Sequence, residues 1–471
     1  MKVLSMTTRL AFARTLLRRR VHVPLVVSCL LFFTALSLPA QDGFTEQSGF
    51  DAQSLGFGFD DETAGGTFSG EGGSAPAVSI GGEVSVSMTG FVDDFSDGAD
   101  NTRLGDIFSG TLNFTAETTY ADGVINLKLA PALVYYDEKS PVYVDEAYIR
   151  AYFGKLDITG GLRKLTWGKA DSMGPLDVVN PLDYSDLSDL SDMMNLKIAR
   201  PLIHASFVLG QFSKLEGVFV PNFEPARFAA SGRWAPAQMA ELSRLPPENV
   251  IRPDTTTLDY AQAGLRFTTT IGAAADIGVQ YYYGRLTTPA VTMTAATLPV
   301  VTFAYNPYHQ IGLDYAQVIA GFNLRAEAAA NITGDLSGDD GAVYNPSLAW
   351  SLGFDRDLFA GINLNLQCNE TIRLLDGEIK NPQDIEADSD ITTTNITAAL
   401  SKKFLRDELE MKAAVMWEAE GGACLVMPSL IWTRNDVAVE FSAGIFAGSG
   451  EGLFGQFHEN SFVKAALTYS F

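Results

Sequence analysis

Charged residues of both signs recur in this chain on one side of two-residue alternations. Glu146 with Arg150, Arg325 with Glu327, and Glu410 with Lys412 occur as neighbours, while Arg163, Arg266, Glu440 and Lys464 stand singly in the same setting. Residues two apart lie on one face of a strand, so these side chains would share a face lined with fixed charge. Such a face is costly in a dry core and cheap around water. Its chemistry would be to orient water and polar solutes in a transverse field, or to hold a wall together by mutual neutralisation.

Bond-making chemistry has little support. The chain contains no Gly-x-Ser-x-Gly elbow, His-Glu-x-x-His, Walker A or dinucleotide fingerprint. His204, His309 and His458 are far apart and have no local partner that suggests a catalytic pair. Two Asp-rich segments, Asp93–Gly98 and Asp335–Gly341, vaguely resemble calcium loops. In the second, Pro346 stands where the bidentate Glu would be. The expectation is a protein that is not an enzyme and has no metal or cofactor.

The elements that would position the charged face are strands. From Ile80 onward the dominant period is two, and eighteen candidate strands can be marked, with 14 or 16 still open. Helical periodicity is convincing only near Pro236–Leu245. On 407–419, Leu409, Met411, Ala413, Val415 and Trp417 alternate with Glu410, Lys412, Ala414, Met416 and Glu418. On 359–374, Ile362, Leu364 and Leu366 oppose Asn363, Asn365 and Gln367. The chain ends on Val463, Ala465, Leu467, Tyr469 and Phe471 against Lys464, Ala466, Thr468 and Ser470. An amphipathic strand that finishes the chain is an aggregation hazard unless it closes a sheet. Here the partner would lie near residues 81–92.

Connections alternate in length. They are long at 93–103, 169–200, 222–257, 286–307, 334–345, 375–390 and 448–459, and short between. That alternation and an even strand count predict an all-β fold, a transmembrane antiparallel up-and-down β-barrel with short periplasmic turns and long extracellular loops. A soluble sandwich has no reason to gather its long loops at one end. Trp167, Trp350, Trp417 and Trp432 suit the aromatic girdles of such a barrel.

Residues 1–40 read as a signal peptide. Lys2, Arg9, Arg14, Arg18, Arg19 and Arg20 precede an apolar run from Val21 to Leu38, with a cut after Ala40. Cys29 sits in a lipobox-like Val-Val-Ser-Cys, but the stronger apolar stretch follows it. Without the leader's six, 27 of the 33 basic residues remain against 56 acidic ones. That excess argues against nucleic acid and against docking on anionic lipid. Residues 41–77 are Gly-rich and acidic and read as a flexible periplasmic segment, leaving 78–471 for the barrel. Cys368 and Cys424 are too few for a disulfide scaffold, and nothing in the sequence shows whether they pair.

Two loops are long enough to fold into a lumen. The first, Ala170–Arg200, carries Asp171, Asp177 and Asp183, and its Gly174-Pro175 and Asn180-Pro181 steps suit an ordered constriction. The second, Asn222–Thr257, holds the helical stretch.

Gly161-Leu-Arg-Lys-Leu-Thr-Trp-Gly168, followed by Asn180-Pro-Leu-Asp183, resembles a segment of a poorly characterised family of porin-like outer-membrane proteins. There a strand with Gly-Arg-x-x-x-x-Trp-Gly leads into an Asn-Pro loop. In this chain Leu162 precedes the basic Arg163, a departure from that pattern. Ile311-Gly-Leu-Asp314 and Leu324-Arg-Ala-Glu327 resemble later strands of the group. The resemblance implies a channel or transport role and names no substrate. The terminal Phe471 likewise resembles the signal read by the barrel-assembly machinery of the outer membrane.

The leading expectation is a porin-like channel for small solutes in the outer membrane of a diderm, Gram-negative-type bacterium, surrounded by its lipid and open to homo-oligomer formation. The alternatives are a loop-plugged adhesin or receptor and, against the polar inner faces, a transporter of hydrophobic compounds.

Overall fold

A computed structural model describes residues 77–92, 108–119, 125–135, 142–188, 190, 196–242, 244–272, 275–294, 299–448 and 452–471. The expected signal peptide, nearly all of the Gly-rich segment and the Asp93–Gly98 loop lie outside the described residues.

Eighteen strands form one sheet. In chain order they are β1 Ala77–Phe91, β2 Phe108–Thr119, β3 Ile125–Tyr135, β4 Val142–Phe153, β5 Leu156–Arg163 and β6 Arg200–Val208. They continue as β7 Ser213–Val220, β8 Gln262–Ile271, β9 Ala275–Arg285, β10 Pro307–Ile319, β11 Phe322–Thr333 and β12 Ser347–Asp357. The last six are β13 Ile362–Arg373, β14 Thr392–Phe404, β15 Leu409–Glu418, β16 Ala423–Arg434, β17 Val437–Ala447 and β18 Phe462–Ser470. Each pairs antiparallel with its sequence neighbours, and β18 returns to β1 in the register Glu83↔Ser470 to Phe91↔Phe462. The seam is locked past the last strand residue by two backbone hydrogen bonds of 2.9 Å, each from the N–H of one to the carbonyl of the other, between Gly82 and Phe471. A closed ring leaves no strand edge.

The alternation of connections takes the form the sequence predicts. Along one rim the strands are joined through turns such as 154–155, 320–321 and 435–436; along the other, connections include 164–199, 221–261, 286–306 and 374–391. At Ala320 and Gly321 both φ angles are positive, 53° and 79°, the pattern of a type I′ turn whose twist matches that of paired strands.

Side-chain parity gives the ring its two faces. The outer face presents Val84, Val86, Ile149, Ile203, Leu265, Val279, Ile311, Leu313, Leu352, Phe441, Val463 and Leu467, all exposed. The inner face buries Thr159, His204, Glu216, Arg266, Gln280, Gln310, Asp314, Arg325, Glu327, Asp355, Asn365 and Gln367. Apolar outside and polar inside inverts a soluble protein and defines a membrane-spanning barrel. Among the described residues no helix is long and apolar enough to cross a membrane, and here the strands do that work.

Two details differ from expectation. The strand expected to run through the Gly161–Gly168 segment stops at Arg163, after which the chain turns inward. Trp167 therefore belongs to no outer girdle: it is 2% exposed and meets Tyr282 edge-on inside the barrel, with ring centroids 6.3 Å apart. Trp417 and Trp432 do lie exposed on the outside. Cys368 and Cys424 are free. Both face outward and sit three strands apart in register, through Ile396 and Trp417. That separation is roughly 14 Å, twice what a disulfide spans. Helix α1, Ala237–Leu242, forms within the predicted helical stretch.

Candidate functional site

The 164–199 loop enters the barrel between β5 and β6. Its neck is cinched by Asn180, whose side-chain amide donates to the carbonyls of Arg163 (3.1 Å) and Ile198 (2.9 Å) while its Oδ1 accepts from the Leu165 N–H at 2.8 Å. Lys197 closes the neck from the other strand of the loop with an ion pair to Asp177 at 2.6 Å. Leu165, Trp167 and Val179 fill the space above Leu202, Val218, Val220, Tyr282 and Tyr308.

Irregular backbone at membrane depth must find partners for its N–H and C=O groups, and the inner wall supplies them. Glu327 on β11 accepts the backbone N–H groups of Lys169, Ala170 (2.7 Å) and Leu176 (3.3 Å). Gln367 on β13 accepts from Asp171 at 2.7 Å and donates to the Ser172 carbonyl at 2.5 Å, which also takes the Asn369 amide at 3.2 Å. Gln280 on β9 donates to the Leu176 carbonyl at 2.9 Å, and Gln310 on β10 to that of Pro175 at 3.0 Å. Amides suit this surface because each offers both a donor and an acceptor. The loop wraps so closely around Glu327 that side chains are excluded. A Cβ at Gly168 would collide with the carboxylate, and one at Gly174 would sit 2.6 Å from it. Gly168 also has φ of +101°, which a side chain would strain.

Ion pairs run through the same wall. Arg266 meets Asp314 at 2.7 Å and donates to Gln280 at 2.8 Å. Arg325 bridges Asp355 (2.6 Å) on β12 and Asp171 of the loop. Burial pushes the Asp171 carboxyl up from its ordinary range, against the pull of Arg325 and of the Asn365 amide 2.7 Å away. Next along the wall, His204 and Lys214 flank Glu216 at 3.2 and 3.3 Å.

The tip of the loop meets the opposite wall by other means. Leu187, Leu190 and Leu196 join Met416, Leu425, Phe446, Phe454, Phe457, Phe462, Phe91 and Trp234 in one apolar cluster. Trp234 comes from the 221–261 loop and lies 5.5–6.4 Å, ring to ring, from Phe91, Phe446, Phe457 and Phe462. Arg233 stacks 4.1 Å over Phe91, and its carbonyl accepts the Asn460 amide at 2.8 Å. The two inward loops are also joined to each other. Asp183–Tyr184 pairs with Arg227–Phe228, the rings of Tyr184 and Phe228 stack at 5.3 Å, and Arg227 binds Asp183 at 2.8 Å. Burial pushes the Tyr184 hydroxyl up to about 12.

All ten charged residues singled out in the sequence take inward positions, but with partners of their own. Arg150 pairs with Asp157 of β5 at 2.5 Å, and Glu146 accepts the Lys164 N–H at 2.8 Å. Arg163 bonds Thr159 at 3.1 Å and stacks on Tyr148. Lys412 stands 3.7 Å from Glu410 on its own strand. Glu440 faces inward opposite Ile431 and Ala466, and Lys464 opposite Ser442 and Thr89. Both kinds of partner occur: Arg150 and Arg325 pair with the neighbouring strand, Arg266 reaches Asp314 two strands away, and Arg163 and Lys412 bond within their own strands. Of the loop residues singled out, Asp171 reaches the wall, Asp177 and Asn180 hold the neck, and Asp183 ties the two loops.

Sequence reasoning missed two sets of residues. The amides Gln280, Gln310, Gln367 and Asn369 act as docking groups; their signal was an excess of Asn and Gln on inward strand positions. The inward apolar patch of Phe91, Met416, Leu425, Phe446 and Phe462 departs from the mainly polar inner face expected. Met416 and Leu425 face each other in register. Asp335 accepts the backbone N–H groups of Gly338 (2.8 Å) and Asp340 (3.0 Å), so the calcium-like loop is a self-bonded turn.

Fold and wall together define a class: a membrane-spanning barrel with a charged interior and a loop packed inward on its wall. No protein-family model and no curated protein matches the chain. Among solved structures it is similar to OccK3 (OpdO) of Pseudomonas aeruginosa, at 9% identity over 84% of this chain and 95% of that one, with a TM-score of 0.49. It is also similar to OccK2 (OpdF) of the same species in complex with glucuronate, at 11% identity over 84% and 97%, with a TM-score of 0.46. A third likeness is to OmpT, an outer membrane protein of Vibrio cholerae in its trimer form, at 11% identity over 84% and 100%, with a TM-score of 0.38. The functional reading stands on the wall and loops of this barrel itself.

Proposed function

We propose that the protein is a porin-like channel of a bacterial outer membrane that passes small polar solutes through a lumen narrowed by the 164–199 loop. The observation that carries this reading is the inner wall. A closed ring with an apolar exterior has no reason to place Arg150, Arg163, Glu410, Lys412, Glu440 and Lys464 inward unless that space is wet. In this orientation the short turns face the periplasm and the long loops the exterior. Because inner cations such as Arg150, Arg266, Arg325 and Lys412 each have a carboxylate within 4 Å, the lumen presents dipoles more than a uniform field, which suits polar solutes of low net charge. Association of several copies, and recognition of Phe471 during assembly, belong to the same proposal.

The test is planar-bilayer recording of purified protein whose β-barrel circular dichroism and heat-modifiable migration are intact. Stepwise conductance is the expected result. A folded barrel that gives no steps, both intact and after replacement of residues 177–195 by a short Gly-Ser bridge, would falsify the channel.

A further inference from the structure

Cations on a lipid-facing wall are costly unless something answers their charge. Arg356 and Lys402 are two such residues. Arg356 continues the outward face of Leu348, Leu352 and Phe354 on β12, and Lys402 that of Ile396, Ala398 and Leu400 on β14. Each lies over an aromatic ring, Arg356 at 4.3 Å from the centre of Phe322 and Lys402 at 4.9 Å from that of Phe404. Such a contact answers the charge only weakly at an exposed site, and among the described residues it leaves the guanidinium and ammonium N–H donors without an acceptor. Among the described residues neither side chain has a carboxylate within ion-pair distance, Asp407, Glu408 and Asp436 of the nearby turns included. Asp355 and Asp357, adjacent to Arg356 in the chain, are committed to inward partners, Arg325 and Asn363.

The placement is specific. Both residues stand near the ends of their strands, beside the turns 358–361 and 405–408 of the short-turn rim. Only β13 separates them: Leu364 is opposite Arg356, and Ile362 is opposite Lys402. Two strand spacings, about 10 Å, can be bridged by two long side chains leaning toward a common point, with Phe322, Phe354 and the exposed Phe359 marking the interfacial level. The net acidity of the chain argues against adsorption on anionic lipid, yet that acidity sits in loops and lumen, and the outer wall at this rim is locally cationic.

We propose that Arg356 and Lys402 form a binding site for an anionic phospholipid of the leaflet that meets the short-turn rim. Its phosphate lies over β13 between the two cations, and its acyl chains run along Ile362, Leu364, Leu366 and Leu400. The site rests on the barrel spanning a bilayer and not on its conductance.

Native mass spectrometry tests it, with intact protein in detergent carrying equimolar zwitterionic and anionic phospholipid. The wild type is expected to retain the anionic lipid in preference. An R356Q/K402Q variant should lose that preference at least several-fold, while R356K/K402R and the turn variant K155Q keep it. Equal preference in wild type and R356Q/K402Q, or loss of it in R356K/K402R, overturns the site. Heat-modifiable migration verifies each barrel. A barrel that conducts without the preference rejects this site alone, and one that shows the preference without conducting rejects the channel alone.

Discussion

The walls on either side of the inward loop hold it in opposite ways. From β9 to β13 the contact is chiefly between wall side chains and loop backbone, through Glu327, Gln280, Gln310, Gln367 and Asn369, with the Asp171 carboxylate added on Arg325 and Asn365. From β15 to β18 and on to β1 it is between wall side chains and loop side chains, with Met416, Leu425, Phe446, Phe462 and Phe91 against Leu187, Leu190, Leu196 and Trp234. Where the loop is Gly-rich and tightly turned its exposed backbone needs donors and acceptors. Where it carries leucines it needs apolar area. The hydrogen-bonded side fixes position and direction, while the apolar side supplies non-directional adhesion.

That contrast can be broken from either side. The largest effect is expected from Glu327→Ala, which orphans three backbone donors at once, at about 1–3 kcal/mol for each that stays buried. Unitary conductance should rise several-fold and trypsin should cut at Lys164 or Lys169; an unchanged trace would show that Glu327 does not hold the loop. Gly174→Ala should act in the same direction, because its Cβ would press on the same carboxylate. Trp234→Ala comes next, at about 3–5 kcal/mol of lost packing. Limited proteolysis should then cut the 221–261 loop while cutting at Lys169 stays slow, and equal exposure of both loops would deny that the two sides are separable. A smaller change is expected from Asn369→Ala, which removes one of two donors to the Ser172 carbonyl and should cost about 1 kcal/mol, read as a slight increase in open-channel noise. The smallest concerns the outer wall: Cys368 and Cys424 should both react with a membrane-permeant maleimide without prior reduction, and protection of the pair would contradict their separation.

Much of the ring was legible in the amino-acid order. Val463 to Phe471 announced a closing strand, and the structure joins it to β1 through Gly82. Eighteen alternating segments gave the eighteen strands, and parity gave the facing of each charged residue. Less was legible inside. Arg325 and Glu327 stand two apart on one strand, yet one binds Asp355 and Asp171 and the other the loop backbone. Trp167 reads as a girdle residue because it follows a strand pattern, but that strand has already ended at Arg163.

The division has a physical cause. Strand identity, face and neighbour depend on a local period of two and on short connections, so the sequence by itself determined the barrel and which side chains look inward. The docking of the inward loop depends on contacts between distant segments, such as Asn365 with Asp171, 194 residues apart. No local pattern says which inner amide will meet which loop carbonyl. Only the closed ring, by fixing the distance across its interior, decided where Gly168–Leu176 could bond and where the leucines of the tip had to land.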